Sequence, residues 1–409
     1  DPFLDHFRDS WVVAGMTRRA TAGSAHPNLA GALLAAGLVT AAALLAWRAE
    51  RRRSSWRITA AGILPLAGLL SLGLLSTYSR GGLLAAGVGL LTLAGGLALR
   101  RPALAASPLG ALVAVGAAAA LAASTDPVLG LRLTAPTHTW YDARYETLSA
   151  PAALGPGTAG HAAVRVTNTG QRTWSRASGI RIGYRLLDRT GAPVAVAFGP
   201  GLPHDLRSGE SAVFEMRVEA PPDRRSHVLV WDMAQPGVDW FSRLGARPGV
   251  VSVSEGGPAA AGAGQTPPIW RPSRMEIWPL ALAMWREHPV LGVGPDNFRK
   301  LAGRYAGRTA EWDPRTHANN TGLEVAATVG AVGFFALLGV FLGTFAACGR
   351  ALRRADPHAT LAAACLALAA TTLAHGLVDH VLAFTGHYLL LAFTAGAASA
   401  LAMEEPPVA

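Results

Sequence analysis

Long apolar blocks dominate this sequence and restrict what it can fold into. A helix needs about 20 apolar residues to cross the hydrocarbon core of a bilayer. Seven blocks approach or reach that length: Asn28 to Trp47, Ile58 to Thr77, Gly81 to Leu99, Ala103 to Ala123, Thr321 to Ala347, Ala359 to His375 and Phe384 to Met403. The chain is 51% hydrophobic and only 15% charged, which is typical of membrane proteins. We therefore predict a mainly α, polytopic membrane bundle with four spans in residues 1–123 and three in 317–409.

Arginine clusters in the short loops predict the orientation of these spans. They follow the first, third and fifth blocks: Arg48, Arg51, Arg52, Arg53 and Arg57; Arg100 and Arg101; Arg350, Arg353 and Arg354. Short cytoplasmic loops carry an excess of basic residues, and all three clusters fall on one side if every block crosses once. We predict that this side is cytoplasmic. Because the chain opens at Asp1 without a signal-peptide pattern, we expect further helices to precede it.

The long segment between the two groups of spans has the sequence pattern of a β domain. Short alternating runs, such as Val213 to Val218 and Val228 to Trp231, are separated by Gly, Pro, Asn and Asp. We predict an inserted all-β sandwich over residues 124–255, on the extracytoplasmic side, and a flexible Gly/Ala/Pro linker over 256–268. The runs Thr167 to Gly170, with Trp174, and Val230 to Met233 resemble bacterial immunoglobulin-like domains.

Residues 269–316 are predicted to form an extracytoplasmic amphipathic helix and a loop. Met275, Trp278, Leu282 and Trp285 recur at helical spacing, so they would form one apolar face at the membrane interface. Pro289 follows, and the run Leu291 to Pro295 then predicts a tight turn.

Two arginines at predicted outer positions are candidates for phosphate binding. Arg80 lies in the run Thr77 to Gly82, where glycines allow a close backbone approach, and Arg274 begins the amphipathic segment. The planar guanidinium fork suits phosphate oxygens. Taken alone, however, Arg80 is more often a snorkelling residue and Arg274 part of a solvated helix face.

The histidines near the predicted outer helix ends are the other candidates. His317 stands directly before a span and could act as a base near neutral pH, or could equally be a capping or surface residue. His375, Asp379 and His380 lie in a later turn, but their spacing does not specify a metal site, and we interpret that segment as an interfacial turn.

Two features of composition carry less weight. The net charge of +10 comes from arginines between apolar blocks, with no nucleic-acid-binding fold beside them, so no nucleic-acid partner is predicted. Cys348 and Cys365 lie in or beside apolar blocks and are interpreted as small core residues without a redox role.

An ordered set of motifs on both sides of the insert resembles the O-antigen ligase and polymerase family. The motifs are Arg19 to Ala30, Ser79 to Gly81, Arg274 to Trp278, Glu287 to Phe298, His317 to Asn320 with Leu323 and Glu324, and Gly330 to Gly333. The resemblance covers residues 1–123 and 269–403.

The resemblance implies a glycosyltransferase of the GT-C type in the cytoplasmic membrane. It implies an undecaprenyl-diphosphate-linked glycan as donor, a lipid or glycan as acceptor, and no metal or cofactor. Carried over by motif, Arg80 and Arg274 would hold the diphosphate. His317 would be the catalytic base, and Asn319 and Asn320 would contact substrate.

The sequence departs from the family pattern at one of these positions. Counting back from Gly330 and Gly333 places Asn319 where many ligases have their catalytic histidine. A neutral amide is no general base, so either His317 reaches the acceptor hydroxyl or activity is altered.

Two other hypotheses stay open. A transporter or non-catalytic scaffold would keep the membrane framework, and the departure at Asn319 favours a scaffold. The few charges predicted within the spans count against transport. An adhesion domain anchored by helices would need only one or two spans, and the sequence predicts more.

Overall fold

The computed structural model describes residues 10–13, 17–21, 26–51, 56–134, 140–151, 157–187, 193–220, 227–236, 239–244, 246–253, 274–307, 316–353 and 358–403. The chain divides into two compact units. One holds the helices before residue 134 and after residue 270, and the other holds the intervening β strands. The predicted flexible linker over 256–268 lies outside the described residues.

The helical unit contains ten α-helices within the described ranges. In chain order they are α1 (Pro27–Glu50), α2 (Trp56–Ser76), α3 (Arg80–Ala98), α4 (Ala106–Thr125), α5 (Pro127–Thr134), α6 (Arg274–Glu287), α7 (Phe298–Tyr305), α8 (Thr321–Arg353), α9 (Ala359–Gly376) and α10 (Thr385–Met403). Among described residues, six helices are long and apolar enough to cross a membrane. They include all the predicted spans except α2, which carries a shorter apolar stretch at Ile63–Ser76. The protein is therefore a multi-pass membrane protein.

Small residues let these helices pack closely. The main core cluster joins α1, α3, α8, α9 and α10 through alanines such as Ala46, Ala351 and Ala363, with Leu93 and Leu97. Close approach between backbones is the usual basis of helix association in membranes, where lipid is as apolar as leucine. Within this unit, Glu50 at the end of α1 accepts a 2.5 Å hydrogen bond from Thr360 at the start of α9.

The two ends of the bundle differ in character. Arg48 and Arg51 at the end of α1, and Arg350 and Arg353 at the end of α8, lie at the end marked by Glu50 and Thr360. The starts of α1, α3 and α8 and the ends of α2 and α9 meet at the other end. The candidate residues Arg80, Arg274 and His317 all belong to this second end.

The β unit consists of two antiparallel sheets. One has the order β10 (Gly249–Val253), β8 (His227–Gln235), β5 (Arg181–Leu187), β6 (Pro193–Gly201), with β9 (Asp239–Trp240) beside β8. The other has the order β3 (Ala143–Ser149), β4 (Ala159–Asn168), β7 (Ser211–Glu219). Strand β7 alternates buried and exposed residues along its whole length, as a strand with one face on a core must. A separate two-stranded sheet pairs β1 (Ser10–Val13) with β2 (Thr17–Arg19).

Aromatic residues fill the core of the β unit. Trp140, Trp174, Trp231, Phe214 and Phe241 are each at most 2% exposed. Phe241 contacts Trp174 edge to face, with their ring centroids 5.1 Å apart. The inserted β domain and the helical bundle were both predicted from sequence and are confirmed. The immunoglobulin-like character of the β domain stays a prediction.

Arg185 is expected to contribute more to the stability of the β unit than an exposed arginine does. It forms a 2.8 Å ion pair with Asp232, whose side chain is fully buried. Burial raises the pKa of Asp232 to about 6, while Ser242 and Arg185 oppose this shift. Removing one partner of a buried ion pair typically destabilises by about 3–5 kcal/mol, because the other charge stays buried. We therefore expect Arg185→Met to expose residues 157–253 of the full chain to protease at a clearly lower temperature.

Arg165→Met is the matched control. Arg165 also pairs with a carboxylate, Glu146, at 2.6 Å, but the two side chains are 43% and 60% exposed. Exposed pairs contribute about 0–1 kcal/mol, so this variant should resist protease almost as wild type does. Equal losses in the two variants would contradict the burial argument.

Candidate active site

Arg80 is the first residue of α3, and its position is fixed by the turn before it. Tyr78 adopts a positive φ of 50°, and the buried Ser79 caps the helix by accepting a 3.1 Å hydrogen bond from the Gly82 backbone N–H. A Cβ at Gly82 would lie 3.1 Å from the backbone of Gly31, so glycine there lets α3 approach α1 closely. The exposed Arg80 side chain thus starts from a rigid helix end.

Four arginines gather at this end of the bundle. Arg132, in α5, has its pKa lowered to about 10 by burial and by the nearby charges of Arg80 and Arg274. Arg19 is 6% exposed, and burial, followed by the charge of Arg132, lowers its pKa to about 9. The site therefore concentrates positive charge.

Little negative charge balances this cluster. Arg274 donates a 2.6 Å hydrogen bond to the Val378 carbonyl, and Arg132 donates one of 3.4 Å to the Tyr78 carbonyl. In the described part of the chain, none of Arg80, Arg132 and Arg274 forms an ion pair with a carboxylate. Several guanidinium groups that repel one another and lack a counter-ion are suited to binding a multiply charged anion.

Arg19 is held by a chain of hydrogen bonds. Its Nε donates to the Thr77 carbonyl at 2.7 Å, and a terminal nitrogen donates to Asn28 Oδ1 at 2.6 Å. Asn28 Nδ2 in turn donates to Asp379 Oδ2 at 2.6 Å. Sequence analysis placed Arg19 and Asn28 in a family motif without giving them a role, and Asp379 in an interfacial turn.

The turn at residues 377–380 connects most of the site. Besides Arg274 and Asn28, it receives Asn320, which donates to the Leu377 carbonyl at 2.9 Å. Thr321 Oγ1 donates to the Asp379 carbonyl at 3.0 Å. The turn therefore joins the starts of α1, α6 and α8.

His317 is paired with a buried glutamate. Its Nδ1 lies 3.2 Å from Glu324 Oε1, and Glu324, in the first turn of α8, is 3% exposed. The other carboxylate oxygen accepts a 2.7 Å hydrogen bond from the Ala318 N–H, and Trp278 Nε1 donates to the Ala318 carbonyl at 3.0 Å. The hydrogen bond that His317 donates to Glu324 is the main reason that the pKa of His317 is raised. His317 is 28% exposed, so its ring remains accessible.

His380 lies beside this pair. The ring centroids of His317 and His380 are 5.4 Å apart, and burial lowers the pKa of His380. One ligand atom each from His317, Glu324 and His380 falls within a group no wider than 4.8 Å. His375, which sequence analysis grouped with His380, lies instead against α3, with Nε2 3.0 Å from the point where a Gly81 Cβ would stand. Glu324 and His380 were not among the predicted site residues.

The two asparagines before α8 differ in their contacts. Asn320 caps the helix, since its Oδ1 accepts a 3.0 Å hydrogen bond from the Leu323 N–H. Both the oxygen and the nitrogen of the Asn320 side chain therefore form hydrogen bonds. Asn319 has a positive φ of 50°, a conformation that asparagine tolerates well, and its side chain is half-buried. A substrate contact by either residue stays a prediction.

Helix α8 is broken near the site, and the turn after α6 packs into the break. Gly330 has φ 70° and ψ −163°, so the helical hydrogen bonds fail there. The turn after α6 replaces them: Val293 and Gly294 donate to the carbonyls of Ala327 and Thr328, and Ala331 donates to the Pro289 carbonyl, all at 2.8–2.9 Å. Non-helical backbone at membrane depth persists only where its polar groups are satisfied in this way. The predicted tight turn is therefore confirmed, and it is built into the broken helix.

Helix α6 buries one face against protein, and this is not the stripe predicted to lie at the membrane interface. Ile277, Ala281 and Met284 are at most 1% exposed, whereas Met275 is 77% exposed. The helix packs against α8, so its apolar side faces protein as well as the expected interface. The spacing of Met275 and the tryptophans indicated a helix correctly, and the placement of that stripe at the membrane interface stays a prediction.

An apolar groove adjoins the charged end of the bundle. It lies between α8 and α9 and has a volume of about 180 Å³. Its lining includes Thr321, Phe334, Phe341, Leu373, Leu377 and Leu382. Thr321 and Leu377 also belong to the hydrogen-bonded site, so the groove begins where the polar network ends.

The fold and this site define a multi-pass membrane protein with a cationic cluster and a histidine–glutamate pair at one end of its helices. Residues 233–338 match the family described as O-Antigen ligase. This match covers about a quarter of the chain and supports membership of the O-antigen ligase and polymerase family. The matched stretch contains Arg274, His317, Glu324 and Gly330, while Arg80 lies outside it.

Other comparisons add little. No curated protein matches the chain. A solved structure described as "AvmM Catalyzes Macrocyclization in Alchivemycin A Biosynthesis" matches 29% of this chain and 92% of its own, with 13% identity and a TM-score of 0.21. A similarity that low supports no argument about fold or activity.

Proposed function

We propose that the protein is a membrane glycosyltransferase that transfers or polymerises an undecaprenyl-diphosphate-linked glycan. One observation carries the proposal: at one end of the bundle, an accessible histidine–glutamate pair lies with arginines that form no ion pair with any carboxylate in the described ranges. The family match supports the general class of activity. The donor, the outer-face location and metal independence belong to the proposal.

The arginines would bind the diphosphate of the donor. Arg80 and Arg274 belong to different helices, and the nearby Arg132 adds a third positive charge. Negative charge grows on the leaving diphosphate as the glycosidic bond breaks. Fixed cations stabilise this charge more in the transition state than in the bound donor, which is the condition for a faster reaction.

His317 would activate the acceptor. Glu324 Oε1 accepts the Nδ1 hydrogen, so Nε2 keeps a lone pair for the acceptor hydroxyl. The hydroxyl oxygen attacks the anomeric carbon and gives its proton to Nε2. The bond from that carbon to the phosphate oxygen breaks, and undecaprenyl diphosphate leaves with the electron pair. No metal is needed for this step.

The remaining features are consistent with a lipid-linked donor. The apolar groove between α8 and α9 would take part of the prenyl chain next to the arginines. The Arg-rich end of the bundle lies opposite the site, so the basic-loop rule would place the site on the extracytoplasmic face of the cytoplasmic membrane. The β unit would then be extracytoplasmic and could hold glycan.

A non-catalytic scaffold is the second candidate, and Asn319 favours it. At this position many ligases have their catalytic histidine, and the half-buried asparagine here can neither accept nor deliver a proton. The two candidates differ in one respect that can be measured. A scaffold does not need His317 to be a base, whereas the transferase does.

Replacing His317 tests the proposal. We expect His317→Ala to lower transfer about 10²–10⁴-fold, the usual contribution of a general base. In cells whose own gene is deleted, lipid-linked glycan should accumulate and long polysaccharide should disappear. His161→Ala, an exposed histidine of β4, is the matched control. Wild-type product from the His317 variant would exclude this base, and would leave the scaffold as the better reading.

The pH dependence of transfer gives a separate check. His317 must be neutral to accept a proton, so activity should fall as pH drops through its raised pKa. Asp296 also raises the pKa of His317, whereas burial and the charge of Arg299 lower it. Glu324→Gln should remove the largest raising influence. The acidic limb of the profile should then move to lower pH, while the maximal rate falls.

A further inference from the structure

The residues around His317 have the composition of a transition-metal site. We propose that His317, Glu324 and His380 bind one divalent transition-metal ion of the Zn²⁺ class, and that this ion blocks His317 as a base. The blocking effect rests on the proposed function, whereas the binding site does not. Two imidazoles and a carboxylate are a ligand set that Zn²⁺ accepts, with one coordination position left open.

The geometry needs little adjustment. The three ligand atoms lie within 4.8 Å of one another. Bonds of about 2.0–2.2 Å to a tetrahedral ion place ligand atoms roughly 3.5 Å apart, so a contraction of about 1 Å suffices. Glu324 and the backbone around it are held firmly, because its second oxygen accepts the hydrogen bond from Ala318. The two histidines can supply the movement, since both are only partly buried.

His380 has an unused nitrogen at this place. Its Nδ1 is buried without a hydrogen-bond partner in the described part of the chain. A buried polar atom left without a partner is costly, and a bound cation would satisfy it. The backbone N–H of His380 donates to Asp379 Oδ1 at 2.8 Å, so the turn that carries the histidine is anchored. Outer contacts of this kind orient metal ligands.

Metal binding and base catalysis compete for the same ring. An ion at the three ligands draws His317 and Glu324 away from their mutual hydrogen bond. The carboxylate that orients the histidine then becomes a ligand, and the imidazole loses its role toward the acceptor. Zn²⁺ should therefore inhibit transfer, and a chelator should restore it.

Two readouts on the detergent-solubilised full chain test the site. The first is titration with Co²⁺, whose visible absorption reports tetrahedral coordination and needs no enzymatic activity. The second is inhibition of transfer by Zn²⁺. His380→Gln should weaken both the Co²⁺ signal and the Zn²⁺ inhibition by at least about tenfold. His161→Gln, the same substitution at an exposed histidine, should change neither.

Each result supports or overturns a defined part of the proposal. Saturable Co²⁺ binding near one equivalent that is lost only in His380→Gln supports the site, even if no transfer is detected, and that failure would count against the proposed function alone. Binding that is absent, or equal in the two variants, overturns the site. A chelator that abolishes transfer, with Zn²⁺ restoring it, overturns the inhibitory role.

Discussion

Arg80→Ala is expected to lower the rate of glycan transfer by about 10²–10³-fold, the usual loss when one fixed donor to a developing negative charge is removed. Arg80 stands on the capped start of α3 and pairs with no carboxylate in the described ranges, so its charge is available to a ligand. Arg274→Ala should have an effect of the same order. Purified protein and a synthetic lipid-diphosphate donor would give the rates.

Controls separate this role from general effects of charge. Arg286 lies near the end of α6, is exposed, and should tolerate alanine with little loss. Arg80→Lys should recover only part of the activity, because an ammonium lacks the planar fork. If the two arginines share one diphosphate, Arg80→Ala with Arg274→Ala should lose less than the product of the single losses. Near-wild-type rates in both single variants would argue against diphosphate binding here.

Gly330→Ala should destabilise the helical unit by roughly 2–6 kcal/mol. The conformation of Gly330 is one that residues with a side chain rarely adopt, which costs about 1–3 kcal/mol. In addition, a Cβ there would lie 2.2 Å from the Val290 carbonyl oxygen, so the turn after α6 would have to move. Overpacking of this kind costs a further amount of about 1–3 kcal/mol. Thermal unfolding in detergent would measure the loss, and transfer should fall with it because the same turn supports the site.

Gly339→Ala provides the comparison within the same helix. A Cβ at Gly339 would have nothing within 4 Å, and the residue lies in the regular part of α8. Alanine should therefore be neutral or slightly stabilising there, by up to about 1 kcal/mol. A loss at Gly339 as large as at Gly330 would mean that α8 is intolerant of alanine in general, and the break would not be the cause.

The fold was largely predictable because its signals are local. Apolar blocks of bilayer length specify helices wherever they occur, and strands such as β7 show their alternation within nine residues. Arg80, Arg274 and His317 could be named as candidates from residue chemistry and position, but the family motifs were needed to prefer a functional role over a structural one. The structure places all three at one end of the bundle, and their roles remain predictions.

The rest of the site depends on contacts between distant segments. Asn28 and Asp379 are 351 positions apart, and neither is distinctive by itself. His380 was grouped with His375 because the two are close in sequence, but a helix end separates them and turns His380 toward His317. The face of α6 that packs against protein was not predictable for a related reason: which stripe of a helix is covered is decided by its neighbour, here α8.

The hydrogen bonds to the turn at residues 377–380 have a consequence for the insert. Asn28, which precedes the β unit, donates to Asp379, which follows it, and Arg274 at the start of the segment after the β unit donates to Val378 in the same turn. Contacts within the helical unit thus hold its two sequence segments together, and the β unit is inserted between them as one long loop. Since the entropy of closing a loop grows only logarithmically with its length, related chains with a shorter, longer or different insert could keep the same helical framework.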